Sequence, residues 1–173
     1  MASQQHLSEP QPSEQYNLVT FLLEKQIYAL PIRPIVQIIE MVTITPIPQV
    51  DDAVEGVINV RGEPVLVLNL RRHLGLPPMR LQLRTPIILA RSGERMMGLI
   101  VDQVIDMLSL SPSQIIHPNA VLPKDMGATS LLQGVAHTPG GTVLLLDLDH
   151  LFQPHQKESL AAVAAQVVEK GQE

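Results

Sequence analysis

The sequence predicts an all-β protein, a barrel or a sandwich, and three observations carry that expectation. Leu, Ile and Val supply 56 of the 173 residues while Phe and Tyr supply two each and Trp none, so the core must be aliphatic and rich in strand-forming side chains. Fifteen prolines and ten glycines interrupt the chain too often for long helices. Most tellingly, one fifteen-residue phrase occurs twice, GVINVRGEPVLVLNL at 56–70 and GVAHTPGGTVLLLDL at 134–148, identical at seven positions. Each copy reads as strand, glycine-containing turn and strand, with Gly62 and Gly140-Gly141 able to supply the positive φ that hairpin turns use. A chain of this length suits one domain, or two small lobes sharing a core.

Taken in order, residues 1–15 are rich in Ser, Gln, Glu and Pro and are expected to form a flexible N-terminal tail. From Tyr16 the pattern changes. Val19, Phe21 and Leu23 alternate against Leu18, Thr20 and Leu22, and Glu24-Lys25-Gln26 separates this run from 27–32, a first hairpin ended by Pro31 and Pro34. Residues 34–40 read as a short turn or helix. They carry Ile35, Val36, Ile38 and Ile39, more apolar groups than one small face hides, so that some are available to a partner. Asp52 and Glu55 have capping-box spacing and predict a single helical turn ended by Gly56. In the first repeated hairpin Val65 and Val67 point one way and Leu66, Leu68 and Leu70 the other. A strand apolar on both faces must be covered on both sides, as two barrels leaning on each other would do. The same holds for 143–148.

Further along, Pro77-Pro78 marks a connection, and 86–91 with 96–104 forms another hairpin around Ser92-Gly93-Glu94. Ser111-Pro112-Ser113-Gln114 reads as a capped helical turn, stopped by Pro118. A loop rich in Pro, Gly and Ala leads to the second repeated hairpin. Past Phe152, in a C-terminal segment spanning 154–173, Leu160, Val163, Ala164, Val167 and Val168 form an amphipathic helical stripe ended by Gly171. The stripe packs on the barrels or docks a partner.

Charge and composition exclude several function classes. The formal charge is −5 and Lys and Arg are scattered singly except at Arg71-Arg72, which leaves no basic patch for nucleic acid, and aromatics for base stacking are scarce. Without cysteine there is neither a disulfide nor a thiolate zinc site, in keeping with a reducing compartment. The first fifteen residues lack the basic start and apolar run of a signal peptide, and no apolar run approaches a membrane span, so a cytoplasmic protein without membrane insertion is expected. No phosphate-binding glycine loop, nucleophile elbow or helical zinc pair is present, and no cofactor is expected. Asp147 and Asp149, two apart on a strand, would share a face and could serve a small-ligand-binding or hydrolytic barrel, or be solvated acids at a strand end. Six histidines, at 6, 73, 117, 137, 150 and 155, lack metal-ligand spacing. Asp102 reads either as a base in a cleft or as an acid bonded to turn amides.

The two repeats differ at their tips. Arg61-Gly62-Glu63 in the first stands where the second has Pro139-Gly140-Gly141, so the turn itself does not require arginine, and an arginine rimming an apolar surface is a frequent interface arrangement. The run 56–62 followed by 65–71 closely resembles the signature of the CheW-like chemotaxis coupling proteins. Val36-Gln37-Ile38-Ile39 resembles that family's motif after the first hairpin, 98–104 its central strand motif, and 134–148 its last hairpin, together spanning about 16–153. The resemblance implies two intertwined five-stranded SH3-like β-barrel lobes with short helical turns and a C-terminal helix. It implies a noncatalytic adaptor that couples the cytoplasmic helical hairpin of a chemoreceptor to the regulatory domain of the histidine kinase CheA, in the cytoplasm at membrane receptor arrays. A pathway controlling pilus-driven motility is the alternative. Receptor contacts carry over onto Val36, Gly56, Arg61, Gly98 and Val104, while the kinase side would dock one barrel against a similar barrel. Ile38 stands where many relatives have Glu, Val60 replaces the usual Leu, and Asn69 the usual Asp.

Overall fold

The computed structural model describes residues 14–121 and 131–152. Nearly all of the expected N-terminal tail, most of the loop before the second repeat, and the whole C-terminal stripe lie outside the described residues. The strands are β1 (Tyr16–Leu23), β2 (Gln26–Pro31), β3 (Ile35–Glu40), β4 (Val54–Val60), β5 (Glu63–Asn69), β6 (Pro86–Ser92), β7 (Arg95–Ile100), β8 (Gln103–Leu110), β9 (Ile115–Ile116), β10 (Leu132–Thr138) and β11 (Gly141–Leu146). One-turn helices α1 (Leu70–His73) and α2 (Leu148–Leu151) follow the two repeated hairpins.

These strands form two sheets, in the orders β8-β1-β2-β11-β10-β9 and β3-β6-β7-β5-β4. Both curl shut. In the five-stranded sheet Thr45, just beyond β3, exchanges two 2.9 Å backbone hydrogen bonds with Val57 of β4. In the six-stranded sheet β8 runs through a 3-10 turn at Pro112–Gln114 directly into β9, which pairs with β10. Because β8 and β9 are one run interrupted by Pro112, that barrel too has five walls.

The barrels are built alike. The pairs Ile35↔Ala90 and Ile38↔Ile88 of one recur as Val104↔Phe21 and Met107↔Val19 in the other, and the parallel pair Leu66↔Met97 recurs as Leu144↔Tyr28. Each half of the chain gives a hairpin to one barrel and the following strands to the other. Thus β3 leaves the β1–β2 hairpin to pair with β6, and β8 leaves the β6–β7 hairpin to pair with β1. This reciprocal exchange makes the lobes intertwined, because neither barrel closes without strands from both halves.

Three cores result. Ile58, Val65, Val67, Ile87, Leu89, Met96 and Ile100 fill one barrel, and Leu18, Ala29, Leu110, Ala136, Val143 and Leu145 the other. Between the barrels a larger cluster takes Phe21, Leu23 and Leu30 from one side and Leu66, Leu68, Ile88 and Leu99 from the other. The two faces of β5 therefore serve two cores, Val65 and Val67 inward and Leu66 and Leu68 toward the neighbouring barrel, as the doubly apolar pattern requires. At about 1.5–3 kcal/mol for each fully buried Leu, Ile or Phe, the shared cluster favours association of the lobes as strongly as either barrel favours its own closure.

Three local expectations are corrected. Residues 35–40 are strand rather than turn or helix, because the β-branched run Ile35, Val36, Ile38 and Ile39 pairs along β6. The helical turn expected between Asp52 and Gly56 is absent. Asp51 instead caps the turn by accepting from Ala53 N at 2.8 Å, β4 has begun by Val54, and Gly56 sits at a bulge with φ 148°. A Cβ on Gly56 would fall on the Thr45 carbonyl, so the closing bridge itself demands glycine. Finally, 96–104 is not one strand: it divides at Val101-Asp102, where the chain crosses from β7 in one barrel to β8 in the other.

Candidate functional site

The exchanged strands β3 and β8 line an open groove of about 360 Å³ between the barrels. Its walls match in pairs: Ile35 with Val104, Gln37 with Asp106, and Ile38 with Met107 occupy equivalent register positions in the two barrels. Ile32 and Val19 complete the lining. Both strands expose large apolar side chains, with Val36 53% and Ile38 41% exposed on β3, and Ile105 44% and Met107 68% on β8. Strand residues of this kind, two from each half, mark a surface suited to contact another protein. The Asp106 carboxylate accepts from Met107 N at 2.7 Å and, exposed and without an ion pair among the described residues, places one negative charge in the groove wall.

The five residues carried over from the family resemblance fall in three places. Val104 lines the groove and Val36 neighbours it on β3. Arg61 stands apart at the tip of the β4–β5 turn, exposed, where Arg61 at φ 51° and Gly62 at φ 84° form a two-residue hairpin turn and Gly62 N donates to Asn59 Oδ1 at 2.7 Å. The preceding Val60 shares the barrel core with Ile39 and Met41, which places the turn beside the exit from β3. Gly56 and Gly98 are buried in the wall of that barrel. A Cβ on Gly98 would lie 2.9 Å from Ile87 Cγ2 and 3.2 Å from Val67 Cγ2. Neither glycine offers side-chain surface, so any influence on a partner passes through barrel packing.

Sequence reasoning missed Ile105 and Met107, because the strand expected at 96–104 stops short of them and no element is expected between 105 and 110. Their apolar i, i+2 spacing was the available signal. It also missed the partner of Asp102. This carboxylate accepts Glu24 N at 2.7 Å, as the turn-amide reading expects, and takes a bidentate pair from Arg71, with Nε to Oδ1 at 2.7 Å and NH2 to Oδ2 at 2.6 Å. The Asp102 hydrogen bond foremost holds the Arg71 guanidinium above its ordinary pKa, against the opposing effect of burial. His73, on the same short helix, is pushed below the ordinary histidine value by burial, with Asp51 partly offsetting it.

The remaining polar candidates are absorbed by local structure. Asp147 caps α2, accepting from Asp149 N at 3.0 Å and lying 3.2 Å from His150 Nδ1, while Asp149 accepts from Ser92 Oγ at 2.9 Å. His117 Nδ1 accepts from Asn119 N, and His137 contacts Thr142 Oγ1 at 3.2 Å. His6 and His155 lie outside the described residues. Among the described residues no group of three His, Asp or Glu could hold a metal ion, and no helix is long and apolar enough to cross a membrane.

Comparison with known proteins agrees with this arrangement. The chemotaxis protein CheW of Thermotoga maritima is 30% identical over 140 residues, covering 81% of this chain and 89% of that one. Chemotaxis protein CheW of Rhizobium meliloti is 30% identical over 142 residues, covering 82% and 90%. Protein FrzA of Myxococcus xanthus is 27% identical over 134 residues, covering 76% and 82%. Among solved structures, the crystal structure of the scaffolding protein TtCheW from Thermoanaerobacter tengcongensis superposes with a TM-score of 0.73 at 26% identity, covering 83% of this chain and 96% of that one. Residues 17–156 match the CheW-like domain, and with the exchanged barrels and the groove between them the chain belongs to that family.

Proposed function

We propose that this chain is a noncatalytic adaptor that couples chemoreceptors to the histidine kinase CheA, in the cytoplasm at receptor arrays. The observation that carries this reading is the groove between β3 and β8, where Ile35, Ile38, Val104 and Met107 surround only two polar side chains, Gln37 and Asp106. An amphipathic receptor helix can lay its apolar face in such a groove. Val36 and Val104 contact it directly, Arg61 hydrogen-bonds acceptors beyond the β3 exit, and Gly56 and Gly98 keep the wall thin enough to stay in shape. The kinase regulatory domain docks barrel against barrel, away from the groove. Coupling then consists of holding the two partners in a fixed relation and biasing the kinase between conformations. A second reading keeps the same scaffold role in a pathway driving pilus-based motility.

Arg61 offers the test, and the left-handed backbone at this position sets the choice of substitution. Asn adopts φ 51° more readily than Arg, so Arg61→Asn preserves the turn where Ala would strain it. Isothermal titration with a receptor cytoplasmic fragment is expected to show binding weaker by about 2 kcal/mol, while thermal stability stays level or rises. Unchanged receptor affinity would remove Arg61 from the interface.

A further inference from the structure

Two contacts between the barrels are related by the internal repeat, and their charges are inverted. The backbone bonds Ile32 N to Asn17 O (3.0 Å) and Val101 N to Pro86 O (3.2 Å) are equivalent, which makes Arg33 the counterpart of Asp102 at the two crossovers. Asn69 and Asp147 cap α1 and α2 alike, which makes Asp149 the counterpart of Arg71. At the contact of α1 with the β7–β8 crossover, then, the helix carries arginine and the crossover aspartate; at the repeat-related position of α2 and the β2–β3 crossover the helix carries aspartate and the crossover arginine. Only the first pair is made. Asp149 is taken by Ser92, and Arg33 forms no ion pair among the described residues.

The closed pair joins more than two side chains. Arg71 reaches Asp102 through two nitrogens, donates from NH1 to Pro77 O at 2.7 Å and lies 3.5 Å from the Glu24 carboxylate. Asp102 also accepts from Glu24 N, and its own N donates to Leu22 O at 3.1 Å. A helix of one barrel, the β7–β8 crossover and the β1–β2 turn of the other barrel are thus tied at one point. The Arg71 and Asp102 side chains are only 11% and 14% exposed, against 44% and 47% for Arg91 and Glu63. An exposed pair of the latter kind contributes little, whereas removing one partner of a desolvated, fully bonded pair leaves an uncompensated charge. Asp102 is followed at once by β8, and Val104, two residues on, lines the groove.

We propose that Arg71 and Asp102 form a pin that fixes how the two barrels sit against each other and thereby sets the spacing of the groove walls. Arg71 and Asp102 are positioning residues for receptor binding, a role that rests on the adaptor reading above. Loss of the pin frees the start of β8 and shifts Val104 and Met107 relative to Ile35 and Ile38. The kinase-facing barrel surface keeps its own core and is unaffected.

Full-length Asp102→Asn, Arg71→Lys and the charge-swapped double variant R71D/D102R test this. The swap gives the α1 contact the polarity that the α2 position already carries, and Glu24 lies beside the new arginine. Titration with a receptor fragment is expected to show about a tenfold loss for each single variant and recovery to within about threefold in the swap, the behaviour of coupled sites. Affinity for the CheA regulatory domain stays within about twofold throughout, as does that of Asp149→Asn for both partners. Equal losses for both partners would indicate general destabilisation, and single variants with unaltered receptor affinity would remove the pin; either result overturns the proposal. Should the wild-type chain itself not bind receptor, the adaptor reading fails and the pin is read separately. Spin labels at Glu40→Cys on β3 and Ser109→Cys on β8 then report wall spacing in this cysteine-free chain. A distribution broadened by Asp102→Asn and narrowed again by the swap supports the pin, and an unchanged one refutes it.

Discussion

Asn69 is buried at 5% exposure and uses both ends of its amide. Nδ2 donates to Glu55 Oε1 at 2.8 Å and Oδ1 accepts from Arg72 N at 3.4 Å, capping α1. The equivalent Asp147 meets no such carboxylate in its bonds and can be all acceptor. Asn69→Asp would set two carboxylates against each other in a partly desolvated place. It is expected to lower stability to urea by about 1–3 kcal/mol at neutral pH, with the deficit shrinking at pH 4 as one acid takes a proton. A deficit that does not shrink would mean the lost donor, and not charge, is responsible. His73 carries a pH dependence of its own. Burial depresses its folded-state pKa, so between the folded value and the ordinary 6.5 the unfolded chain binds the proton and the folded chain does not. Its contribution to stability is complete above about pH 6.5 and declines as the pH falls toward the folded value. Urea midpoints of the wild type and His73→Gln between pH 7.5 and 5 should therefore converge or cross on acidification, and parallel curves would contradict the assignment.

At the scale of elements, the glycines of the repeated hairpin divide sharply. Gly56 lies against the Thr45 carbonyl and Ile44 Cγ2 at the bridge that closes one barrel, and Gly134 against Ile115 where β9 closes the other. Gly140, at a tip, has only Thr138 Oγ1 near, at 3.8 Å. Gly56→Ala is thus expected to cost about 2–4 kcal/mol in denaturant titrations, and Gly140→Ala to stay within about 0.5 kcal/mol. Similar costs at the two sites would mean that turn flexibility, not barrel closure, selects glycine. This division also bears on what was legible beforehand. The hairpins of the repeat were plain because β5 and β11 are short, bounded by glycine turns and apolar on both faces, which demanded two cores. The strand β3 was not, since a short run apolar on both faces reads equally as a helical turn until its partner β6, some fifty residues on, is known. The division of 96–104 at Asp102 was hidden for the same reason: the partner that ends the strand, Arg71, is 31 residues away. Of the site, residue-level reasoning singled out Arg61 from the differing hairpin tips. Val36 was among the apolar residues at 34–40 read as available to a partner, Val104 came from family resemblance alone, and the exposed pair Ile105 and Met107 lay beyond the strand expected at 96–104.

For the whole molecule, strand exchange converts two small barrels into one body with a groove on its repeat-related strands and a shared core between the barrels that joins aliphatic side chains with Phe21, Tyr28 and Phe152. Such a body suits an adaptor. It has two kinds of surface, groove and barrel flank, which the proposed function assigns to two different partners. Coupling requires simultaneous engagement of both. Co-sedimentation of membrane-anchored receptor cytoplasmic fragments with CheA and this chain, with kinase activity read in the pellet, tests it most directly. CheA is expected to pellet, and its activity to change, only when this chain is present, with the chain itself in the pellet. CheA recruitment that is the same with and without the chain, or a chain that stays in the supernatant with matched partners, would contradict it.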